Sequence, residues 1–186
     1  MKPGPTAILA ALLCPLSLFA AGQTLIVDKA RSSVDVDVEA TFDSFVGHFV
    51  DFEADVTVEG SVIDRVSGQF HFLLADLKTG DGERDAELYR WQQNDRFPDG
   101  IFTLVGLQPD EDGQFVANGR LKFHGTERDV SFPVRIKPEK KVLTVEGEAK
   151  MDTRDYGLPV YRRFLIFTVN PIVRVRFRIM GRLAPQ

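Results

Sequence analysis

The chain has 186 residues, 44% of them apolar and 27% charged, with a formal net charge of -4 and a single cysteine. That balance excludes intrinsic disorder, a fold stapled by disulfides, and nucleic-acid binding by phosphate neutralisation. Against three tyrosines and one tryptophan stand fifteen phenylalanines, side chains that bring large apolar area and no hydrogen-bonding group, so the interior is expected to be wide, dry and aromatic.

The first twenty-two residues read as a secretory signal. Lys2 gives the positive start, Ala7 to Ala21 is almost wholly apolar, and Ala20-Ala21-Gly22 supplies small residues for cleavage. Such a segment is too short and wrongly flanked for a membrane anchor. Ala11-Leu12-Leu13 before Cys14 lacks the small residue that lipoprotein processing needs. The expected mature domain is 23–186, periplasmic or secreted after cleavage near Gly22. It has no cysteine, and the loss of Lys2 takes its net charge from -4 to -5. No later apolar run has transmembrane length.

The mature chain then alternates with period two, the pattern of a half-buried strand. Val34, Val36, Val38 and Ala40 oppose Asp35, Asp37 and Glu39; Phe52, Ala54, Val56 and Val58 oppose Glu53, Asp55, Thr57 and Glu59. Phe70 and Phe72 oppose Gln69 and His71, and Phe115, Ala117, Gly119, Leu121 and Phe123 oppose Asn118, Arg120, Lys122 and His124. Further strands place Val130, Phe132, Val134 and Ile136, then Leu143 to Met151, then Val173, Val175, Phe177 and Ile179 on one face. Turns fall at Glu59-Gly60, 109–113, Gly125-Thr126-Glu127 and 138–141. One segment, Arg84 to Asn94, reads instead as a short helix, with Leu88 and Trp91 on one face and Asp85 and Glu87 near its start.

About eight amphipathic antiparallel strands make an all-β domain, either a sandwich or a closed barrel. The acids Asp35, Asp37 and Glu39 on the first long strand match the bases Arg174, Arg176 and Arg178 on the last. These rows meet only if the two strands are neighbours, which favours closure and removes the sheet edges. Two independent solvated faces are the alternative. Charged outward positions exclude a lipid-facing barrel, so the apolar face points inward. Nine phenylalanines share that parity: Phe42, Phe52, Phe70, Phe72, Phe102, Phe115, Phe123, Phe132 and Phe177. An eight-stranded barrel is either filled by such side chains or holds one slender ligand, and parity does not choose.

Catalytic chemistry finds little support. His48, His71 and His124 are scattered, the last two with outward parity that reads as solvated surface, and no metal-ligand spacing occurs. Ser44, Ser61, Ser67 and Ser131 lack a nucleophile-elbow context. No enzyme activity and no resident cofactor are expected.

Five motifs in order resemble the YceI-like family. They are Gly47-His48-Phe49, Glu83-Arg84-Asp85 with Leu88, Phe97-Pro98 with Phe102, 119–126 from Gly119 to Thr126, and 151–158 from Met151 to Leu158. The resemblance spans about Thr24 to Leu183. It implies an exported, lipocalin-like, closed eight-stranded antiparallel barrel with one short helix over an open end. It further implies that the lumen is a pocket for a long isoprenoid chain, a polyprenyl lipid or a quinone, with no chemistry performed on it. The expected ligand-binding residues are Val36, Val38, Phe42, Phe45, Phe49, Phe70, Phe72, Leu88, Trp91, Phe102, Leu121, Phe123, Phe132 and Tyr156. Arg84, Asp85 and Arg162 are expected at the mouth. A solid-core barrel acting as a structural or partner-binding accessory of a periplasmic redox system is the second reading. The chain departs from the family at Glu39-Ala40-Thr41, where many members carry a histidine, and along 159–167.

Overall fold

In the computed structural model, the described residues are 22–59, 65–110, 113–140, 142–163 and 166–185. Residues 1–21 of the expected signal segment, Cys14 included, the turn residue Gly60, Ser61, and parts of the turns at 109–113 and 138–141 lie outside them. In chain order the strands are β1 (Gln23–Val27), β2 (Ser33–Glu39), β3 (Ser44–Phe49), β4 (Glu53–Val58), β5 (Val66–Leu73) and β6 (Leu77–Lys78). The helix α1 (Gly82–Trp91) follows, then β7 (Asp99–Pro109), β8 (Phe115–Phe123), β9 (Thr126–Glu139), β10 (Val142–Asp152), β11 (Arg162–Arg163), β12 (Phe167–Thr168) and β13 (Ile172–Pro185).

The sheet closes on itself. Its order runs β1-β4-β5-β7-β8-β9-β10-β13, and β13 pairs back with β1. β13 is long enough to serve two partners: residues 174–178 pair with β2 and residues 181–185 with β1. β1 and β2 therefore form one interrupted stave, and β3 and β4, paired with β2 and β1, form the next. With those two joined, the barrel has eight antiparallel staves, the smallest common size that leaves an interior for side chains or a slender guest.

The rows of opposite charge meet at the closing seam. Arg174 lies opposite Asp37 and Arg176 opposite Asp35 in register. Arg174 also reaches Glu148 of β10 (3.1 Å), and Arg178 reaches Glu146 (3.5 Å). The basic row of β13 is thus flanked by acids on both neighbouring strands, a second acidic row that the alternation of β10 carried in Glu146 and Glu148.

Three elements differ from the sequence reading. β7 shows no clean alternation because a bulge between Leu104 and Gly106 shifts its register. Leu104 and Leu107 consequently pack against the core cluster, with Val105 exposed between them. The helix starts earlier, at Gly82, because the Asp81 carboxylate accepts from the N–H groups of Glu83 (2.9 Å) and Arg84 (3.1 Å). A good N-cap thus tolerates a glycine at the first position. Last, β8 and β9 are joined by only His124 and Gly125, with φ of 48° and 75°. Positive φ at both central residues of a two-residue hairpin suits the right-handed strand twist.

That hairpin corrects the reading of His124 as solvated surface. It is buried, its ring lies 4.1 Å from that of Phe97, and its Nδ1 donates to the Tyr156 carbonyl at 3.0 Å. The αL backbone of the turn swings the side chain off the strand's outward face. His71 is half-buried and bonds Asp99 (3.0 Å), whereas exposed His48 bonds Asp35 (2.7 Å).

Candidate functional site: an apolar lumen

The barrel encloses a cavity of about 820 Å³, inside the range of roughly 300–1,000 Å³ typical of sites that take one small molecule. At the end where β1 pairs with β4 the cavity is lined by Leu25, Val56, Val58 and Val66, all buried. From there the walls rise through phenylalanines. Eight of the nine with inward parity line the space, while Phe115 packs behind it. Phe70, Phe72, Phe102 and Phe132 all point inward, yet each is only half-buried. In a solid core such rings would lose nearly all contact with solvent; here they border open space.

Glycines on neighbouring strands let the rings lie flat against the wall. Phe177 is opposite Gly147 in register, and a Cβ added to Gly147 would come within 2.5 Å of its ring. Gly119 is diagonal to Phe102, being paired with Leu104, and a Cβ there would come within 2.5 Å of the Phe102 ring; Gly100 lies opposite Phe72. Aromatic contacts then link the rings around the lumen, edge-on from Phe49 to Phe72 (5.0 Å) and from Phe132 to Phe177 (5.7 Å), and tilted from Phe102 to Phe132 (5.4 Å). Offset and edge-to-face pairs of this kind add stability beyond area burial.

The open end is bounded by α1, the turn between β2 and β3, and the β11–β12 hairpin. One face of α1 carries Arg84, Glu87, Leu88 and Trp91 to the cavity, continued by Gln92 at its C-cap, the i, i+3, i+4, i+7, i+8 spacing of a single helical stripe. Its tryptophan is fixed twice: the indole N–H donates to the Pro159 carbonyl (2.9 Å), and the ring meets Tyr161 edge-on at 6.4 Å. The Arg84 guanidinium sits 4.6 Å above the Phe45 ring. Tyr161 donates to the Glu87 carboxylate at 3.3 Å. Burial, with the neighbouring Glu87 charge, raises the Tyr161 pKa above its ordinary value, which keeps the phenol protonated and donating. The Arg90 guanidinium bonded to Glu87 lowers the pKa of that carboxylate.

Of the expected ligand-binding positions, Val36, Val38, Phe42, Phe45, Phe49, Phe70, Phe72, Leu88, Trp91, Phe102, Leu121, Phe123 and Phe132 line the lumen. Tyr156 does not: it is buried behind the wall, edge-on to Phe123 at 5.5 Å, where burial raises its pKa. Among the expected mouth residues, only Arg84 reaches the cavity. The Asp85 carboxylate is turned away and accepts from the Thr79 N–H (2.8 Å) and hydroxyl (2.6 Å), tying the helix to the strand before it. Arg162 is exposed on β11 outside the lining, and its neighbour Arg163 lines the cavity instead. A two-residue strand alternates its side chains between faces, so one step along the chain exchanges the two. Tyr161, Arg163, Ile166 and Phe167 also border the opening. They were missed because 159–167 has no strand periodicity to place them. Among the described residues, no cluster of three or more metal-liganding side chains occurs and no helix is long and apolar enough to cross a membrane.

This barrel, with its apolar lumen and helix-flanked mouth, defines a class. The model of the YceI-like domain matches residues 26–180, and the chain belongs to that family. Among solved structures, it is similar to BcnA of Burkholderia cenocepacia, with 19% identity and a TM-score of 0.75 over 84% of this chain and 99% of that one. A polyisoprenoid binding domain from Saccharophagus degradans, implicated in plant cell wall breakdown, gives 13% identity and a TM-score of 0.61 over 89% and 99%. The YceI protein of Campylobacter jejuni gives 15% and 0.59 over 75% and 84%. No curated protein matches the chain.

Proposed function

We propose that the protein is an exported carrier that sequesters a long isoprenoid-type chain, a polyprenyl lipid or quinone, in the lumen and performs no chemistry on it. The carrying observation is that the inward phenylalanines border open space of about 820 Å³ rather than one another alone. Burying an apolar chain there is favourable by about 0.8 kcal/mol for each methylene taken from water. Apart from Ser131, the lining is apolar along the barrel, and charged groups such as Asp81, Glu83, Arg84, Glu87 and Arg163 cluster at the mouth, the polarity order of an amphiphile with one polar end. The Saccharophagus relative is by its name a polyisoprenoid binding domain, which supports the same ligand class here. The apolar segment before Gln23 supports export to the periplasm or beyond. The second reading, a barrel with a solid core, is disfavoured by the same open lumen.

Organic extraction of the protein purified from its native host, followed by mass spectrometry, tests the proposal. A stoichiometric lipid with repeating isoprene units is expected; recovery of no stoichiometric lipid would overturn the carrier reading.

A further inference from the structure

We infer that the mouth of the barrel is a membrane-docking face, pressed onto an anionic bilayer by apolar tips and a basic hairpin. The inference rests on the carrier reading and adds how the guest enters. Phe42 and Ile166 are the two most exposed large apolar side chains among the described residues, at 72% and 69%. Both also border the lumen. Other exposed apolar residues such as Val50 and Val105 stand on the barrel away from the cavity lining, as scattered surface side chains commonly do. Phe42 and Ile166 therefore extend the apolar lining outward past the rim, to the point where a guest passes between solvent and lumen.

The segments that carry them are tied together. The Thr41 N–H donates to the Thr168 carbonyl at 3.0 Å, the Thr168 N–H donates to the Thr41 hydroxyl at 3.1 Å, and Ala40 forms a bridge with Val169. The two apolar tips thus belong to one braced rim rather than to two independent loops. On the hairpin that bears Ile166, Arg162 and Arg163 are exposed. Arg163 interacts within the protein, its charge acting on Glu87 and Tyr161, while Arg162 projects from the outer face. Apolar tips beside cationic side chains match the interfacial region of an anionic leaflet, where rings enter the headgroup layer and each nearby cation adds attraction. Asp81, Glu83 and Glu87 border the same opening, so the attraction acts on the hairpin side of the rim and the apolar tips orient the barrel mouth-down. A guest insoluble in water then moves between bilayer and lumen without crossing solvent.

The test uses the processed, secreted chain in flotation with two kinds of vesicle, phosphatidylcholine alone and phosphatidylcholine with one-third phosphatidylglycerol. Wild type is expected to float with the anionic vesicles and less with the neutral ones. Phe42→Ser with Ile166→Ser should lower partition roughly tenfold or more on both, as two apolar side chains lose their burial. Arg162→Glu should lower it roughly fivefold or more on anionic vesicles only. Farnesol binding, read from the emission of Trp91, the chain's one tryptophan, should persist in Arg162→Glu, and circular dichroism checks the fold of each variant. Failure of wild type to float, or unchanged flotation of both folded variants, would overturn the docking face. So would rim variants that change only the oligomeric state in light scattering, since the occupant would then be a second copy of the chain. Farnesol binding without flotation sinks this inference alone, whereas flotation without farnesol binding sinks the carrier reading and leaves the docking face standing.

Discussion

Arg176 grips Asp37 with two hydrogen bonds, Nε to Oδ2 at 2.6 Å and an Nη to Oδ1 at 2.7 Å, across 139 residues of chain. The pair is diagonal, because the register sets Arg176 opposite Asp35 and Asp37 opposite Arg174. The fork therefore spans two rungs of the ladder where the last stave closes on the first, a bidentate geometry that a lysine would not reproduce.

The seam carries a pH dependence. The Arg176 hydrogen bond holds the Asp37 carboxyl below its ordinary value of 3.8, with Arg174 and His48 acting in the same direction. A carboxylate depressed in the folded state contributes stability above its unfolded pKa, and that contribution is lost as pH falls through the lower folded value. Asp37→Asn should therefore cost up to about 1 kcal/mol at pH 7, a modest figure because the Asp37 and Arg176 side chains are 26% and 46% exposed. The cost should vanish well below pH 3.8. Urea unfolding of both proteins across pH 2–7 checks the sign: a difference that grows on acidification contradicts it.

If the opposed rows specify closure, reversing one charge should be worse than removing it. Arg176→Asp sets a third acid beside Asp35 and Asp37, with Glu148 on the other flank. It should destabilise by more than the roughly 0.2–1 kcal/mol of one cross-strand pair. Adding Asp37→Arg should recover part of the loss in a double-mutant cycle. Simple additivity of the two changes would show that the seam is only a solvated surface.

The closing seam was legible because alternation puts Asp35 and Asp37 on one face and Arg174 and Arg176 on another, and charge alone then pairs distant strands. The phenylalanine parity was legible for the same reason. β7 was not, since its bulge puts Val105 out of phase with Leu104 and Leu107. Nor was His124, whose orientation follows from an αL turn rather than from strand parity. At the mouth, Arg162 and Arg163 are adjacent and chemically identical, so only the twist of a two-residue strand decides which one meets the lumen. Tyr156 is a different case. A large aromatic near the barrel end reads as lining, but the positive-φ turn at Gly157 leaves its ring against Phe123 behind the wall.

The flat rings predict an asymmetry among glycines. At Gly147 a side chain would meet the Phe177 ring at 2.5 Å and the Pro133 carbonyl at 2.9 Å, and the carbonyl has no freedom to yield. Gly147→Val should lower stability by about 1–3 kcal/mol through overpacking and push Phe177 into the lumen. Gly106, with no neighbour within 4 Å of an added Cβ, should accept alanine nearly unchanged. Thermal unfolding of the two variants checks the contrast, and equal losses would mean that the rings do not need the glycines.

Phe72 tests the lumen as a binding space. It borders the cavity, contacts Phe49, and lies across Gly100. Phe72→Arg places a charge among apolar walls, where its desolvation opposes any apolar guest. Lipid co-purification should be lost in a folded Phe72→Arg protein and retained in Phe72→Leu. Unchanged lipid content in the arginine variant would place the guest elsewhere.

Trp91 links the helix to both the lumen and the mouth, so its removal separates retention from capacity. The indole borders the cavity, donates to Pro159 and packs edge-on against Tyr161. No residue of α1 is fully buried, so the helix depends on a few such contacts to stay seated, and segments held this way open locally before the whole domain does. Trp91→Ala should therefore raise the release rate of a bound isoprenoid by about tenfold, the equivalent of 1.4 kcal/mol. The number of ligands bound at saturation should not change, because the barrel walls remain. Stopped-flow transfer to acceptor vesicles, with amide exchange in α1 measured alongside, gives both quantities. Faster exchange in the helix without faster release would mean that guests leave by a route that α1 does not guard.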